Sequence, residues 1–380
     1  MKILFIIPAF NIKNGGSICS KVFLDIFHEF FSDIMLMLPQ SSTYAWDISE
    51  YNLLEVPETP LFMKYSKIIS GVPHRFYPYI KHIWNKINRP DLVVFSSSWL
   101  AAGCGEFLKD QGIPFITIHH NYEYDFHKDN HSKQSLYGLN ASLFRKIEKF
   151  AYTNSMGNVF LTRSDADKIK GNSQDVPQDV PSVCIPGIIE KGNSLPQIRD
   201  KSPEIKNIVI SGALCDKQTE DGITHYIKNL HKFVTDALPG ATVIIAGRNP
   251  SKRLIKIANR YNNINLLPNP ISLDTILSEA DIFLNPTRLG SGIKLRMVDA
   301  LKYGCPVLSH ETSCAGYEEM IGNGVWSYNK EADFSSELLK LKKEYESLDR
   351  NRIQTIFNDL YGYNRNKERM QLFLRELSLI

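Results

Sequence analysis

The stretch Asn285-Pro-Thr-Arg-Leu-Gly290-Ser-Gly-Ile-Lys294-Leu-Arg-Met-Val-Asp299-Ala-Leu-Lys-Tyr-Gly304-Cys-Pro-Val-Leu-Ser-His-Glu-Thr312-Ser-Cys-Ala-Gly316-Tyr317 decides how the rest of the chain reads. An apolar run, 282–285, leads into it, and a helical pattern covers 295–302 until Gly304 stops it. A second apolar run then begins at Pro306. Strand, glycine turn, helix and strand in succession is the repeating unit of a parallel α/β sheet. Free backbone N–H groups at such a turn favour an anion, and the missing side chains of Gly290 and Gly292 let a phosphate approach the backbone. Lys294 adds a full positive charge. The same residues also suit a tight strand-to-helix connection with a solvated lysine.

The unit repeats outward in both directions. Short apolar runs bounded by turn residues fall at 3–8, 34–38, 92–96, 115–119 and 159–161, then at 208–211, 243–246, 264–267 and 306–309. Such runs suit strands buried on both faces of a parallel sheet. Helical patterns lie between most of them, at 141–152, 222–237, 251–261 and 272–280, and a last one covers 364–377. Ser164 with Asp167 reads as a capping box opening a further helix. Residues 187–207 are rich in Gly, Pro, Ser and charge without periodicity, which marks a linker near residue 195. A chain of 380 residues exceeds what one core usually organises, so two Rossmann-like domains with a cleft between them are expected. They divide as 1–195 and 196–362, followed by a terminal helix over 363–380. Neither half carries a G-x-G-x-x-G after its first strand, which argues against a dinucleotide cofactor.

Composition narrows the function classes. Hydrophobic residues make up 43% and charged residues 22%, the range of a fully folded globular protein. A net charge of +3 gives no reason to expect a nucleic-acid partner. The six cysteines show no C-x-x-C or paired spacing, which reads as reduced thiols. Residues 2–10 are too short and too early broken by Pro8 for a signal peptide, and no apolar run approaches the ~20 residues that cross a bilayer. The expected location is cytoplasmic, with peripheral attachment to the inner face of a membrane left open.

The 285–317 stretch resembles the donor-binding signature of the group 1 glycosyltransferases. It is similar in particular to the branch that reads P-x-x-x-G-S-G-x-K-x-K-x-x-E-A-x-x-x-G-x-P-V-V-x-T. That resemblance implies the GT-B fold, with an acceptor-binding first domain, a nucleotide-sugar-binding second domain, and the terminal helix crossing back onto the first. It implies retaining transfer from a UDP- or GDP-sugar, with no cofactor beyond that donor. Asp299 then takes the place of the carboxylate that holds the ribose hydroxyls, and Thr312 to Gly316 lie near the diphosphate. The best-known form of the signature has Glu at both ends of a Glu-x7-Glu spacing, where this chain has Ser291 and Asp299. The donor sugar therefore lacks its usual Glu. Upstream, G-R-N-P at 247–250 resembles the family's G-x-x-P turn and offers Arg248 to the diphosphate, although a plain surface arginine reads equally well. The family's usual arginine after the first strand of this domain falls here at Ala213, which leaves the phosphate charge to Lys294, Arg248 or both.

In the first half, Asn-Ile-Lys-Asn-Gly15-Gly16-Ser follows the first strand, where many GT-B enzymes have a Gly-Gly pair against the donor phosphates and acceptor. A flexible turn is the alternative. The run 115–119 ends in His119-His120-Asn-Tyr-Glu123, similar to the family's His-Asn-x-Glu segment. A histidine there can hydrogen-bond the donor sugar or accept a proton. His120 is the first choice and His119 the close alternative, because strand alternation aims one of them inward. Metal binding by His119, His120, Glu123, Asp125, His127 and His131 competes, but Lys128 stands where a zincin places its Glu, so no catalytic metal is expected.

Residues 62–89 hold six Lys/Arg, two His, six aromatic residues and no acid. This composition fits docking on an anionic membrane that carries a lipid-linked or glycan acceptor, or a solvated basic face. The expected activity is hexosyl transfer in bacterial surface polysaccharide or glycolipid synthesis. The alternatives are a catalytically silent GT-B subunit supporting a partner transferase, and a sugar-nucleotide epimerase.

Overall fold

The computed structural model describes every residue except 11–14, 43–45, 59–74, 131–140, 172–179, 187, 193 and 201. The chain divides into two units, one formed by Met1–Gly192 with Tyr363–Ile380 and the other by Asn193–Gly362. The first division falls three residues before the expected 195.

In the first unit seven described strands stand in the order β3-β2-β1-β4-β5-β6-β7, every neighbouring pair parallel. They are β1 (Lys2–Ile6), β2 (Asp33–Pro39), β3 (Asn52–Val56), β4 (Leu92–Phe95), β5 (Phe115–His119), β6 (Gly157–Phe160) and β7 (Ser182–Cys184). The connecting helices are α1 (Gly15–Phe30), α2 (Phe76–Ile83), α3 (Ser98–Asp110), α4 (Glu123–Asn130), α5 (Ala141–Asn154) and α6 (Arg163–Gly171). β1, β2, β4 and β5 are buried almost throughout, and Leu4, Ile6, Val93, Phe95 and Phe115 join Leu100, Cys104 and Leu108 of α3 in one core. The helix after β6 is capped two residues earlier than the sequence suggested. Thr162 Oγ1 accepts from Asp165 N at 3.0 Å and donates to Asp165 Oδ2 at 2.8 Å, so Thr162 and Asp165, not Ser164 and Asp167, satisfy its first turn.

In the second unit the order is β10-β9-β8-β11-β12-β13, again parallel. These are β8 (Asn207–Ala213), β9 (Thr242–Arg248), β10 (Ile264–Pro268), β11 (Ile282–Asn285), β12 (Val307–His310) and β13 (Val325–Tyr328). The helices are α7 (Lys217–His225), running through a π-helical turn at Tyr226–Leu230 into α8 (His231–Ala237), then α9 (Lys252–Ala258), α10 (Asp274–Ser278), α11 (Leu295–Leu301), α12 (Glu331–Glu344) and α13 (Arg350–Tyr361). Asp281 fastens the entry of the sheet. Its Oδ2 accepts from Lys206 N and Asn207 N at 2.8 Å each, and its Oδ1 accepts from Tyr345 Oη at 2.9 Å.

The last helix, α14 (Tyr363–Glu376), belongs to the first unit. It presses on β6 so closely that a Cβ added at Gly157 would stand 2.7 Å from both Phe373 and Leu377. In each sheet the strand order reverses between the first and fourth strands, β1 and β4 in one unit, β8 and β11 in the other. Ligands of doubly wound folds bind outside the carboxyl ends of strands at such a point.

Candidate functional site

Residues flanking the β8/β11 reversal in the second unit are drawn together by glycines. α7 lies so close to the segment after β11 that a Cβ at Gly222 would stand 2.6 Å from Pro286 O. Gly290, at φ 92°, has the Gln218 side chain where its own would be. Arg288 and Asp221 lock the two segments from outside, with Nε–Oδ2 at 2.8 Å and a second bond of 3.3 Å. This packing holds the Gly290-Ser-Gly292 turn, whose Gly292 also has positive φ, against the first turns of α7.

Lys294 is 8% exposed and closes that turn. Its Nζ donates to Ser291 O at 2.7 Å, while Tyr317 Oη donates to Lys294 O at 3.1 Å. The lysine is thus part of the scaffold and carries its charge at the turn rather than into solvent. Ser291 is itself buried. Across the turn, Ser313 Oγ donates to Thr287 O at 2.6 Å, which brings the 311–316 segment alongside. Thr312 lies in a 3-10 turn with its N–H on His310 Nδ1 at 3.2 Å, and Gly316, at φ 84°, donates its N–H to Glu318 Oε1 at 3.0 Å.

Sequence reading missed the cation at the centre of this region. Arg296, on α11, sends one guanidinium nitrogen to Thr287 Oγ1 at 3.0 Å and another to Thr219 Oγ1 at 2.9 Å. The guanidinium lies over Gly212 at the end of β8, about where a side chain would begin: a Cβ there would be 3.0 Å from Cζ. Burial lowers its pKa to about 10, opposed by the more distant charges of Asp216 and Asp299, so the group remains a cation at neutral pH. No carboxylate among the described residues forms an ion pair with it. A half-buried guanidinium held by two neutral hydroxyls is arranged to meet an anion. The available signal was the second Lys of the G-S-G-x-K-x-K signature, which Arg296 replaces.

One turn further along α11, Asp299 pairs with Lys302 at 3.3 Å. Burial raises its carboxyl pKa, and Lys302 opposes that shift. Arg248 is exposed at the carboxyl end of β9, in register with Ala213, and stands at the rim rather than inside the turn.

In the first unit, Gly15 and Gly16 open α1, with both exposed. The two histidines separate clearly. His119 is 1% exposed, bonds Asn158 Oδ1 through Nε2 at 2.9 Å and stacks on Phe160 with ring centroids 4.6 Å apart. It is a core residue, and its candidacy as a ligand-facing base is corrected on that ground. His120 turns the other way, with Nε2 3.0 Å from Ser96 Oγ, just beyond β4. Burial lowers the pKa of both imidazoles to about 4, with Glu123 opposing the shift at His120.

In the competing metal set, His127 Nε2 stands 3.4 Å from Glu123 Oε2. Asp125 pairs with Lys168 at 2.8 Å, and His127 stacks on Phe144 at 3.9 Å. His131 lies outside the described residues, among which no three His, Cys, Asp or Glu side chains group as a metal site. The basic aromatic stretch is described only from residue 75. There Phe76 and Trp84 are core residues, and Trp84 Nε1 donates to Gln111 Oε1 at 3.1 Å, so both rings are turned inward. Lys81, His82, Lys86 and Arg89 are exposed. No helix of the described residues is long and apolar enough to cross a membrane.

Comparison with known proteins adds three findings. Residues 205–343 match the family model of the glycosyl transferases group 1. A Klebsiella pneumoniae protein described as an uncharacterized 44.6 kDa protein in the cps region is 27% identical over 149 residues, and the match spans 38% of that protein and 37% of this chain. Among solved structures, Anabaena HepE in complex with UDP superposes with a TM-score of 0.72 at 11% identity, over 99% of this chain and 100% of that one. Sucrose-phosphate synthase from Thermosynechococcus elongatus gives 0.69 at 12%, over 100% and 99%. The lipopolysaccharide outer core galactosyltransferase WaaB gives 0.64 at 14%, over 99% of each. At these identities the likeness establishes the fold, which is GT-B.

Proposed function

We propose that this chain is a retaining, metal-independent glycosyltransferase that moves a sugar from a UDP- or GDP-sugar to a hydroxyl acceptor, a reading supported by the match of residues 205–343 to the family model of the glycosyl transferases group 1. The observation that carries the reading is Arg296, a cation without a carboxylate partner among the described residues, beside Gly212 and next to the Gly290–Lys294 turn. It brings positive charge to the end of β8, where Ala213 cannot. A leaving diphosphate gains charge as the glycosidic bond breaks, and preoriented donors at that place stabilise it without a metal ion. Lys294 fixes the turn and adds charge, Arg248 adds a solvent-screened contribution, and Asp299 accepts from the ribose diol.

UDP is favoured over GDP by the UDP complex of HepE, and a role in surface polysaccharide assembly by the cps-region relative and by WaaB. A lipid-linked acceptor would meet exposed Lys81, His82, Lys86 and Arg89. Buried Ser291, standing where the signature's sugar-binding Glu would be, favours one competitor, a silent subunit that binds nucleotide without turnover. Calorimetric titration with UDP and GDP, followed by a hydrolysis screen of nucleotide-sugars, decides. Binding with turnover supports the transferase, binding without turnover the silent subunit, and no binding of either nucleotide rejects both.

A further inference from the structure

Three hydroxyl-bearing or imidazole side chains distant in sequence form a hydrogen-bonded line beside the β1/β4 reversal of the first unit. Ser20 Oγ lies 2.9 Å from Gly16 O, Ser20 Oγ lies 2.7 Å from Ser96 Oγ, and Ser96 Oγ lies 3.0 Å from His120 Nε2. Ser20 and Ser96 are both 2% exposed, so water does not complete the line for them.

The direction of the protons follows from counting. Gly16 O can only accept, so the Ser20 proton goes to it. Ser20 then accepts from Ser96, and Ser96, its proton used, accepts from His120. Three protons satisfy three contacts. The reverse order, Ser20 to Ser96 to Nε2, leaves the Ser20–Gly16 contact without a proton and so makes only two of the three. We infer that Ser20 and Ser96 are positioning residues that hold His120 as the Nε2–H tautomer, leaving Nδ1 as the acceptor for a sugar hydroxyl.

No described residue takes Nδ1, and the ring is not sealed. The ionisable neighbours of His120 are Glu123, which favours its charged form, and His119, whose own pKa His120 lowers. Burial outweighs Glu123 and holds the His120 ring neutral at ordinary pH, which is the state in which a tautomer has meaning. The line also couples His120 to the backbone of Gly16. The hydroxyl as ligand rests on the glycosyltransferase reading, whereas the tautomer does not.

Nitrogen NMR of the full chain labelled with ¹⁵N-histidine, without ligand, reads the tautomer directly, with His120→Gln identifying the resonances. The expected spectrum has a protonated Nε2 and an unprotonated Nδ1. Ser96→Ala should move the ring toward a mixture, Ser96→Thr should restore it, and Ser20→Ala should let Ser96 turn its proton toward Nε2 and raise the Nδ1–H form. If nucleotide-sugar turnover is found, Ser96→Ala should lower kcat by about tenfold with the donor KM nearly unchanged. An Nδ1–H ring in the wild type, or a folded Ser96→Ala protein with an unaltered His120 spectrum, overturns the inference. The expected tautomer in a protein that turns over no nucleotide-sugar supports the hydrogen-bonded line and rejects only the enzymatic reading.

Discussion

The two sheets share one strand order and differ in what stands at its reversal. Beside β1 and β4 the groups are neutral: Ser20, Ser96 and an imidazole held uncharged. Beside β8 and β11 they are cationic: Arg296 on two threonine hydroxyls, with Lys294 closing the adjacent turn. Topology thus supplies a ligand place in each unit, and the side chains decide what chemistry each place offers. A cationic floor suits a diphosphate, and a neutral acceptor suits a sugar hydroxyl. Substitutions in the second unit should therefore move nucleotide affinity, and those in the first should move turnover.

Arg296→Ala tests that division most severely. It removes charge-assisted hydrogen bonds of about 1.5–3 kcal/mol each, so loss of two should weaken UDP or GDP binding by roughly 100-fold or more. Titration calorimetry on the folded variant reads this, and retained affinity would remove Arg296 from the phosphate. His120→Gln should lower kcat by about 100-fold while leaving the nucleotide Kd alone. A matched fall in nucleotide affinity would break the comparison, since the first unit would then be holding the leaving group as well. Lys294→Met keeps the buried stem and deletes the charge. Its nucleotide Kd should rise about tenfold, the worth of one hydrogen bond to a charged group, and an unchanged Kd would reduce Lys294 to scaffold. For Asp299→Asn, a donor KM higher by about fivefold is expected, because the amide keeps one acceptor for the ribose diol; steady-state kinetics with the active donor would show it.

The smallest effect concerns stability. His119 and His120 stay neutral in the fold down to about pH 4, whereas in the unfolded chain they take up protons near 6.5. Unfolding therefore binds protons in that window, and stability falls as the pH drops from about 6.5 toward 4. Urea midpoints measured across it should decline, less steeply in His119→Asn; parallel slopes would mean that His119 is not the buried neutral group described.

Central strands were legible because burial on both faces leaves a continuous apolar run, as in Leu92–Phe95. Three strands escaped: β3, β7 and β13, all at sheet edges, where one neighbour is missing and sequences such as Asn-Leu-Leu-Glu-Val carry polar residues. The helix α7 was expected five residues too late, because its first turns are polar and its buried Thr219 serves Arg296 rather than the core. Alternation aimed one of His119 and His120 inward, but only Asn158, 39 residues away, identifies which. Ser20 and Ser96 were illegible for the same reason. Each is an unremarked serine until a contact across 76 residues joins them.

The packing of α14 on Gly157 bears on the order in which a ribosome makes this protein. The second unit occupies one continuous block of chain, whereas the first is made in two instalments separated by that block. Phe373 and Leu377 emerge after every residue of the second unit, and until then the β6 backbone they cover stays bare. Domains generally fold as units during synthesis. Here the unit begun first is the one finished last, and a nascent chain halted before Tyr363 would carry an exposed apolar seam for a chaperone to shield.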